Sequence, residues 1–268
     1  MLLREVEYAR PSSVDEAVRM LGAHEGARAL AGGQTLVNVM KARVASPDVL
    51  VDLNRLAELR EISVSGDTLE LGAMATYTQL LVSSEVEVTR PILAEVCGLI
   101  ADVQVRNRGT IGGNVCSNDP TNHLPPLLVA LGAEMVILGP DGERTVPASD
   151  FFLGVYMTAA GPGELLTSIR VPAGRRDAFE AITLGADGTC IVSAAASLVE
   201  GGVRVAIGCV DAVPILVEPA SADEAAVRAA VGAAGLEPPA DVHASSDYRR
   251  HLAEVVAVRA VQKASAAS

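Results

Sequence analysis

The chain has 268 residues, 50% hydrophobic and 20% charged, a balance that suits a cored globular protein and excludes a disordered one. Its 21 Lys and Arg against 33 Asp and Glu leave a formal charge of −12, which repels nucleic acid and acidic membrane surfaces, and with 3% aromatics and no Trp it has no base-stacking platform. No apolar run reaches bilayer-spanning length and the charged start MLLREVEYARP is not a signal peptide, so a cytoplasmic location is expected.

In chain order, REVEYARP alternates as a strand ending at Pro11. SSVDEAVRMLGAH predicts a helix with Ser13 as N-cap, Glu16 completing a capping box, and Gly22 closing it. ARALAGG reads as a strand entering a glycine pair, TLVNVMKAR as a helix leaving it, and VLVDLN as the next strand, giving a β-α-β-α-β opening. LREISVSGDTLELGAMAT predicts a hairpin turning at Gly66-Asp67, followed by helices over 77–84 and 89–101. A helix, a strand and a Pro-Asp-Gly turn follow across 124–152.

Near Val171 the texture changes, and RVPAGRRDA reads as a linker. Beyond it lie two strands joined at Gly201-Gly202, an Ala-rich helix capped at Ser221/Glu224, and a final helix near 246–264. The organisation is a long α+β domain followed by a smaller one. Cys97, Cys116, Cys190 and Cys209 have no C-x-x-C spacing, which excludes a local iron–sulfur or zinc-knuckle pattern and predicts four buried, inert thiols. His24, His123, His243 and His251 are too dispersed to suggest a metal site.

Two stretches share a small-Gly-Gly-polar form: LAGGQTL at 30–36 and TIGGN at 110–114. Glycine before a helix lets successive N–H groups converge on one point and bind phosphate without a cationic side chain. Thr35, Thr110 and Asn114 add side-chain hydrogen-bonding groups, and two such loops suit a diphosphate held from both sides. The alternative is that each pair only makes a tight turn. Neither loop is G-x-G-x-x-G or a Walker A loop, which disfavours a Rossmann NAD site and a P-loop NTPase. Arg106 and Arg108 read equally as anion-steering groups and as solvated loop arginines, whereas Tyr77 and Tyr156 read as partly buried core residues with hydrogen-bonded hydroxyls more readily than as rings that stack on a ligand.

AGGQTLVNVMKARVASPDVLVDLNRL together with VRNRGTIGGNVCSNDP resembles the FAD-binding medium subunit of molybdenum hydroxylases, a family that includes carbon monoxide dehydrogenase flavoproteins and the flavin domain of xanthine dehydrogenase. ELLTSIRVP and SSDYRRHLAEVVAVRAV extend the resemblance over most of the chain. It implies an α+β architecture: a two-part p-cresol methylhydroxylase-type FAD-binding domain over 1–172, with subdomains 1–55 and 56–172, then a small α+β C-terminal domain over 173–268. It implies that Ala31, Gly32, Gly33, Gln34 and Thr35 line one side of the FAD diphosphate, and that Thr110, Ile111, Gly112, Gly113 and Asn114 line the other. Leu166 matches a cofactor-contacting leucine, though on pattern alone it is equally a core strand residue.

The chain departs from the family at His123, which stands where an acidic cofactor contact is usual, with Asp119 nearby. It also lacks the usual Lys and Asp-Tyr after the linker, where it reads FEAITLGADGTCIVS with Thr189 near the tyrosine position. The resemblance implies an electron-transfer role with no catalytic acid or base here. Iron–sulfur clusters and molybdopterin would lie on a small and a large partner subunit, forming a heterotrimer or its dimer, with electrons leaving to an external acceptor. The alternatives are a self-contained flavin oxidase or reductase of the same fold, and an assembly subunit that has lost FAD.

Overall fold

The computed structural model describes residues 3–185 and 189–267, so residues 186–188 of the departing FEAITLGADGTCIVS motif lie outside it. The opening is the expected β-α-β-α-β: β1 (Glu7–Ala9), α1 (Val14–Ala23), β2 (Ala27–Leu30), α2 (Leu36–Lys41) and β3 (Val49–Asp52). The three strands form a parallel sheet in the order β1-β3-β2. Val49, Leu50 and Val51 of the central strand are all buried, as a parallel strand covered on both faces requires. The Ser13 hydroxyl caps α1 by accepting from Glu16 N at 3.2 Å. The Glu16 carboxylate accepts from Ser12 rather than Ser13, so the predicted box is only half formed. Gly22 does not end α1; it lies inside it with Gly163 close against its open face.

The second body begins with the predicted hairpin, β4 (Ile62–Ser65) and β5 (Thr68–Gly72). Where two helices were expected there are three: α3 (Tyr77–Val82), α4 (Ser84–Thr89) and α5 (Ile92–Leu99). Ser83 ends α3 and caps α4 by accepting from Val86 N, and Pro91, which has no N–H to donate, separates α4 from α5. Then come α6 (Val103–Arg106), α7 (Ile111–Ser117) and α8 (Leu124–Leu131). The strands β6 (Glu134–Gly139) and β7 (Gly142–Pro147) form the hairpin around the predicted Pro-Asp-Gly turn. After α9 (Ala148–Phe151), β8 (Phe152–Gly154) and β9 (Met157–Thr158) make a small surface hairpin, and β10 (Leu165–Pro172) returns to the sheet. The five-stranded antiparallel order is β4-β5-β10-β6-β7.

The remaining strands are β11 (Asp177–Leu184), β12 (Thr189–Val199), β13 (Gly202–Gly208) and β14 (Ile215–Val217), an antiparallel sheet in that order. The helices α10 (Glu224–Ala233) and α11 (Ser246–Ala266) follow. The strand β11 was hidden in what read as linker and departure. The connection itself is only 173–176 and is tied down: Ala173 N donates to Asp67 O, Gly174 N to Thr89 O, and Arg175 Nη2 to Val88 O. The N-cap of α10 is Asp223 rather than Ser221; the Ser221 hydroxyl bonds to the Asp223 carboxylate instead. One core cluster joins the second body to the last sheet through Phe179, Ala195 and Ala206.

The expectation of four buried thiols fails at one position, Cys116. Cys97 is fully buried and its thiol is pushed up to about 12 by that burial, as an inert core group should be. Cys116, on α7, is exposed. Cys190 and Cys209 are buried, as expected.

Candidate functional site

Ligands of open sheets bind beyond the carboxyl ends of parallel strands. There β2 stops at Leu30, and the chain turns through Ala31, Gly32, Gly33, Gln34 and Thr35 into α2. Gly33 takes φ +74°, a conformation that favours glycine. Gly32 serves another purpose: a Cβ there would overlap the Arg108 carbonyl, so its bare face lets the two glycine segments touch. An added Cβ on Gly113 would likewise lie 3.5 Å from Ala31 Cβ. The two segments, about 80 residues apart in sequence, are therefore one surface.

A cleft of about 300 Å³ opens against this surface, at the lower end of the range for small-molecule sites. Ala31, Gly32, Gly33 and Gln34 line it, with Val37, Asn38, Lys41, Asn54 and Arg108. Among the described residues, the N–H groups of Gly33, Gln34, Thr35 and Leu36 have no intrachain acceptor. Lys41 and Arg108 give the cleft local positive charge in a chain whose formal charge is −12. The donor set thus fits an extended ligand with a phosphate bridge.

The second segment is built differently from the bare-peptide expectation. Ile111 N donates to Ala75 O, Gly112 N to Ala73 O, Gly113 N to Thr110 Oγ1 and Asn114 N to Thr110 O. An added Cβ on Gly112 would lie 2.6 Å from Ala73, so that glycine lets α7 approach the chain after β5. Ile111 is fully buried. What this segment offers is the Asn114 side chain: Nδ2 donates to the Tyr77 hydroxyl at 3.0 Å, while the buried Oδ1 has no partner among the described residues. That orphaned acceptor is not in the cleft lining, though its neighbour Gly113 packs against the cleft-lining Ala31.

Of the predicted contacts, Thr35, Thr110, Ile111, Gly112, Gly113, Asn114, His123 and Leu166 do not line the cleft. Leu166 is a core residue of β10. His123 precedes α8, buried, with its ring 5.1 Å from that of Phe179 on β11 and Nδ1 unpartnered. Tyr77 is buried and hydrogen-bonded, whereas Tyr156 is exposed at φ +57° with its hydroxyl on Asp119. Arg106 donates to the carbonyls of Ile100 and Ala101, so of the two arginines only Arg108 reaches the cleft.

Sequence reading missed Asn38, Lys41 and Asn54. The first two were within reach, because Gln34, Asn38 and Lys41 recur at helical spacing on one face of α2. Asn54 acts through the loop: Nδ2 donates to Ala31 O at 3.0 Å and to Asp52 Oδ1 at 2.6 Å, and Oδ1 accepts from Arg60. The Tyr8 hydroxyl donates to the other Asp52 oxygen. Burial alone would raise the Asp52 pKa, but bonds from Tyr8 and Asn54 outweigh it and hold the carboxyl below the ordinary value. A carboxyl depressed by folding stabilises above its unfolded pKa of about 3.9 and loses that contribution as pH falls through the folded value. The stability of the fold should therefore fall in acid below about pH 4, and Asp52→Asn should lower the melting temperature at neutral pH and flatten that acid limb, measured by thermal melts across pH.

Among the described residues no group of three or more His, Cys, Asp or Glu is arranged to hold a metal ion, and no helix is long and apolar enough to cross a membrane. The comparisons agree with the geometry. Residues 4–174 match the family model described as the FAD binding domain in molybdopterin dehydrogenase. The carbon monoxide dehydrogenase medium chain of Hydrogenophaga pseudoflava is 48% identical over 174 residues, 65% of this chain and 61% of that one. The carbon monoxide dehydrogenase medium chain of Afipia carboxidovorans is 37% identical over 99% of both chains. A solved chain of reconstituted CO dehydrogenase from Oligotropha carboxidovorans superposes with a TM-score of 0.93 at 35% identity, covering 100% of each. With its glycine-built cleft inside the matched region, this chain belongs to the FAD-binding domain family of the molybdopterin dehydrogenases.

Proposed function

We propose that this chain is the FAD-carrying, electron-transferring medium subunit of a molybdenum hydroxylase or dehydrogenase complex. The observation that carries the reading is the fused surface of the two glycine segments, with Gly32 against Arg108 and free N–H groups facing a cationic cleft. Gly33 to Thr35 would hold the cofactor's diphosphate, with Lys41 and Arg108 balancing its charge, while Asn114 Oδ1 could accept only from a cofactor hydroxyl or amino group. Bound there, FAD supplies one- and two-electron redox chemistry, connecting iron–sulfur clusters on a small partner with an external acceptor. Molybdopterin and the choice of substrate belong, on this reading, to a large partner subunit, in a heterotrimer or its dimer.

The domain division proposed is 1–55 and 56–172 for the two parts of the FAD domain, and 173–268 for the C-terminal domain. It is supported by the three larger sheets, whose strands fall within 7–52, 62–172 and 177–217. A cytoplasmic location is part of the reading and is supported by four free cysteines.

Purification of the chain with its natural partners tests the proposal. Flavin should co-purify in a one-to-one ratio with this chain, iron and molybdenum with the other two, and reduction by substrate should bleach the flavin. A colourless chain that takes up no FAD, or a yellow one that turns over a substrate alone, would overturn it.

A further inference from the structure

From Leu30 to Thr35, across the first glycine turn, every backbone carbonyl accepts a hydrogen bond from the chain. Backbone N–H groups supply three of these: Leu53 donates to Leu30 O at 3.1 Å, Val37 to Gly33 O at 3.1 Å and Val39 to Thr35 O at 3.0 Å. Side-chain amides supply the others. Asn54 Nδ2 donates to Ala31 O at 3.0 Å, Gln34 Nε2 to Gly32 O at 3.1 Å and Asn38 Nδ2 to Gln34 O at 2.7 Å. The consecutive N–H groups of Gly33, Gln34, Thr35 and Leu36, by contrast, have no acceptor among the described residues.

This division decides which end of each peptide the turn shows to a ligand. A carbonyl rotated into the cleft would face an ionised phosphate oxygen, acceptor against acceptor with no proton between them. A carbonyl held on an amide cannot rotate without losing that bond, so the N–H end stays on the ligand's side. Asn54 is itself fixed: its Oδ1 accepts from Arg60 at 3.2 Å, and its Nδ2 also donates to Asp52 Oδ1 at 2.6 Å. Its amide therefore keeps its donor end toward Ala31. Gln34 and Asn38 do the same from the turn and from the first turn of α2. All three residues line the cleft.

We propose that Gln34, Asn38 and Asn54 are positioning residues of the anion-binding turn: by engaging the carbonyls of Gly32, Gln34 and Ala31, they make it present donors alone to a phosphate bridge. The inference rests on the flavin reading and adds to it side chains that act through the backbone rather than on the cofactor.

Fluorescence titration of the full chain with FAD, beside thermal melts of the ligand-free protein, tests this at Asn38, which is exposed. Asn38→Leu keeps the side chain's size and removes its donor. The dissociation constant should rise roughly fivefold, as for one lost hydrogen bond, with the melting temperature unchanged. Asn38→Ser separates positioning from contact. A helical serine hydroxyl can bond the carbonyl four residues back while its polar end withdraws from the cleft, so it should recover most of the lost affinity. Gln34→Met should weaken binding as Asn38→Leu does. Binding by Asn38→Ser as weak as that of Asn38→Leu would show that the amide touches the cofactor itself and would overturn the proposal. Undiminished affinity in Asn38→Leu, or a loss that follows a lowered melting temperature, would overturn it too. A wild-type chain that takes up no FAD overturns the flavin reading, and this inference with it.

Discussion

Replacing Gly32 with alanine should strip the flavin from the protein while leaving it folded. The new methyl group would overlap the carbonyl of Arg108, a backbone atom that cannot swing aside as a side-chain tip could. Gly32 lies in the turn between β2 and α2, outside the strand ladders, so the sheets should persist while the two segments are pushed apart. Binding needs the two segments together, so the overlap is charged to the complex. Overpacking costs about 1–3 kcal/mol, and each 1.4 kcal/mol is about tenfold, so the dissociation constant should rise roughly tenfold to hundredfold. Fluorescence titration with FAD measures it. Gly202→Ala is the control, since nothing lies within 4 Å of its open face and it should bind normally.

The second large effect is on stability and lies at Arg90. Its guanidinium is nearly fully buried where α4 ends, and it ties three later segments to that point. One nitrogen donates to Pro172 O at 2.7 Å; the other donates to Asp177 Oδ1 at 2.7 Å and to Ser197 Oγ at 2.9 Å. Arg90→Met would leave the Asp177 carboxylate buried without its partner, and Asp177 Oδ2 already has none among the described residues. Breaking one side of a buried pair costs about 3–5 kcal/mol. At about 2–4 °C per kcal/mol for a chain near this size, the melting temperature should fall by roughly 10 °C. Adding Asp177→Leu should recover most of the loss, because a matched apolar pair removes the stranded charge. Differential scanning calorimetry of the three proteins checks both steps.

How far the sequence carried the structure depended on whether the signal was local. The opening β-α-β-α-β, the Gly66-Asp67 hairpin and the last helix were legible because period, caps and turn residues all lie within a few positions. The hidden β11 was not: Asp177 looks like a linker charge until Arg90, 87 residues earlier, is seen to neutralise it. The same holds for the glycine pairs. Their presence marked the site, but only the packing shows that Gly32 and Gly112 create close approach, to Arg108 and Ala73, while Gly33 supplies the turn. His123 stands at a motif position where a cofactor contact is usual, but only the fold shows its ring 5.1 Å from that of Phe179, more than 50 positions away.

A crystal structure of the FAD-loaded protein tests the central claim most directly. It should show the diphosphate within hydrogen-bonding distance of the N–H groups of Gly33, Gln34 and Thr35, with the Arg108 segment closing the other flank. A diphosphate lodged away from the 31–35 turn, with that turn's N–H groups still facing solvent, would contradict it.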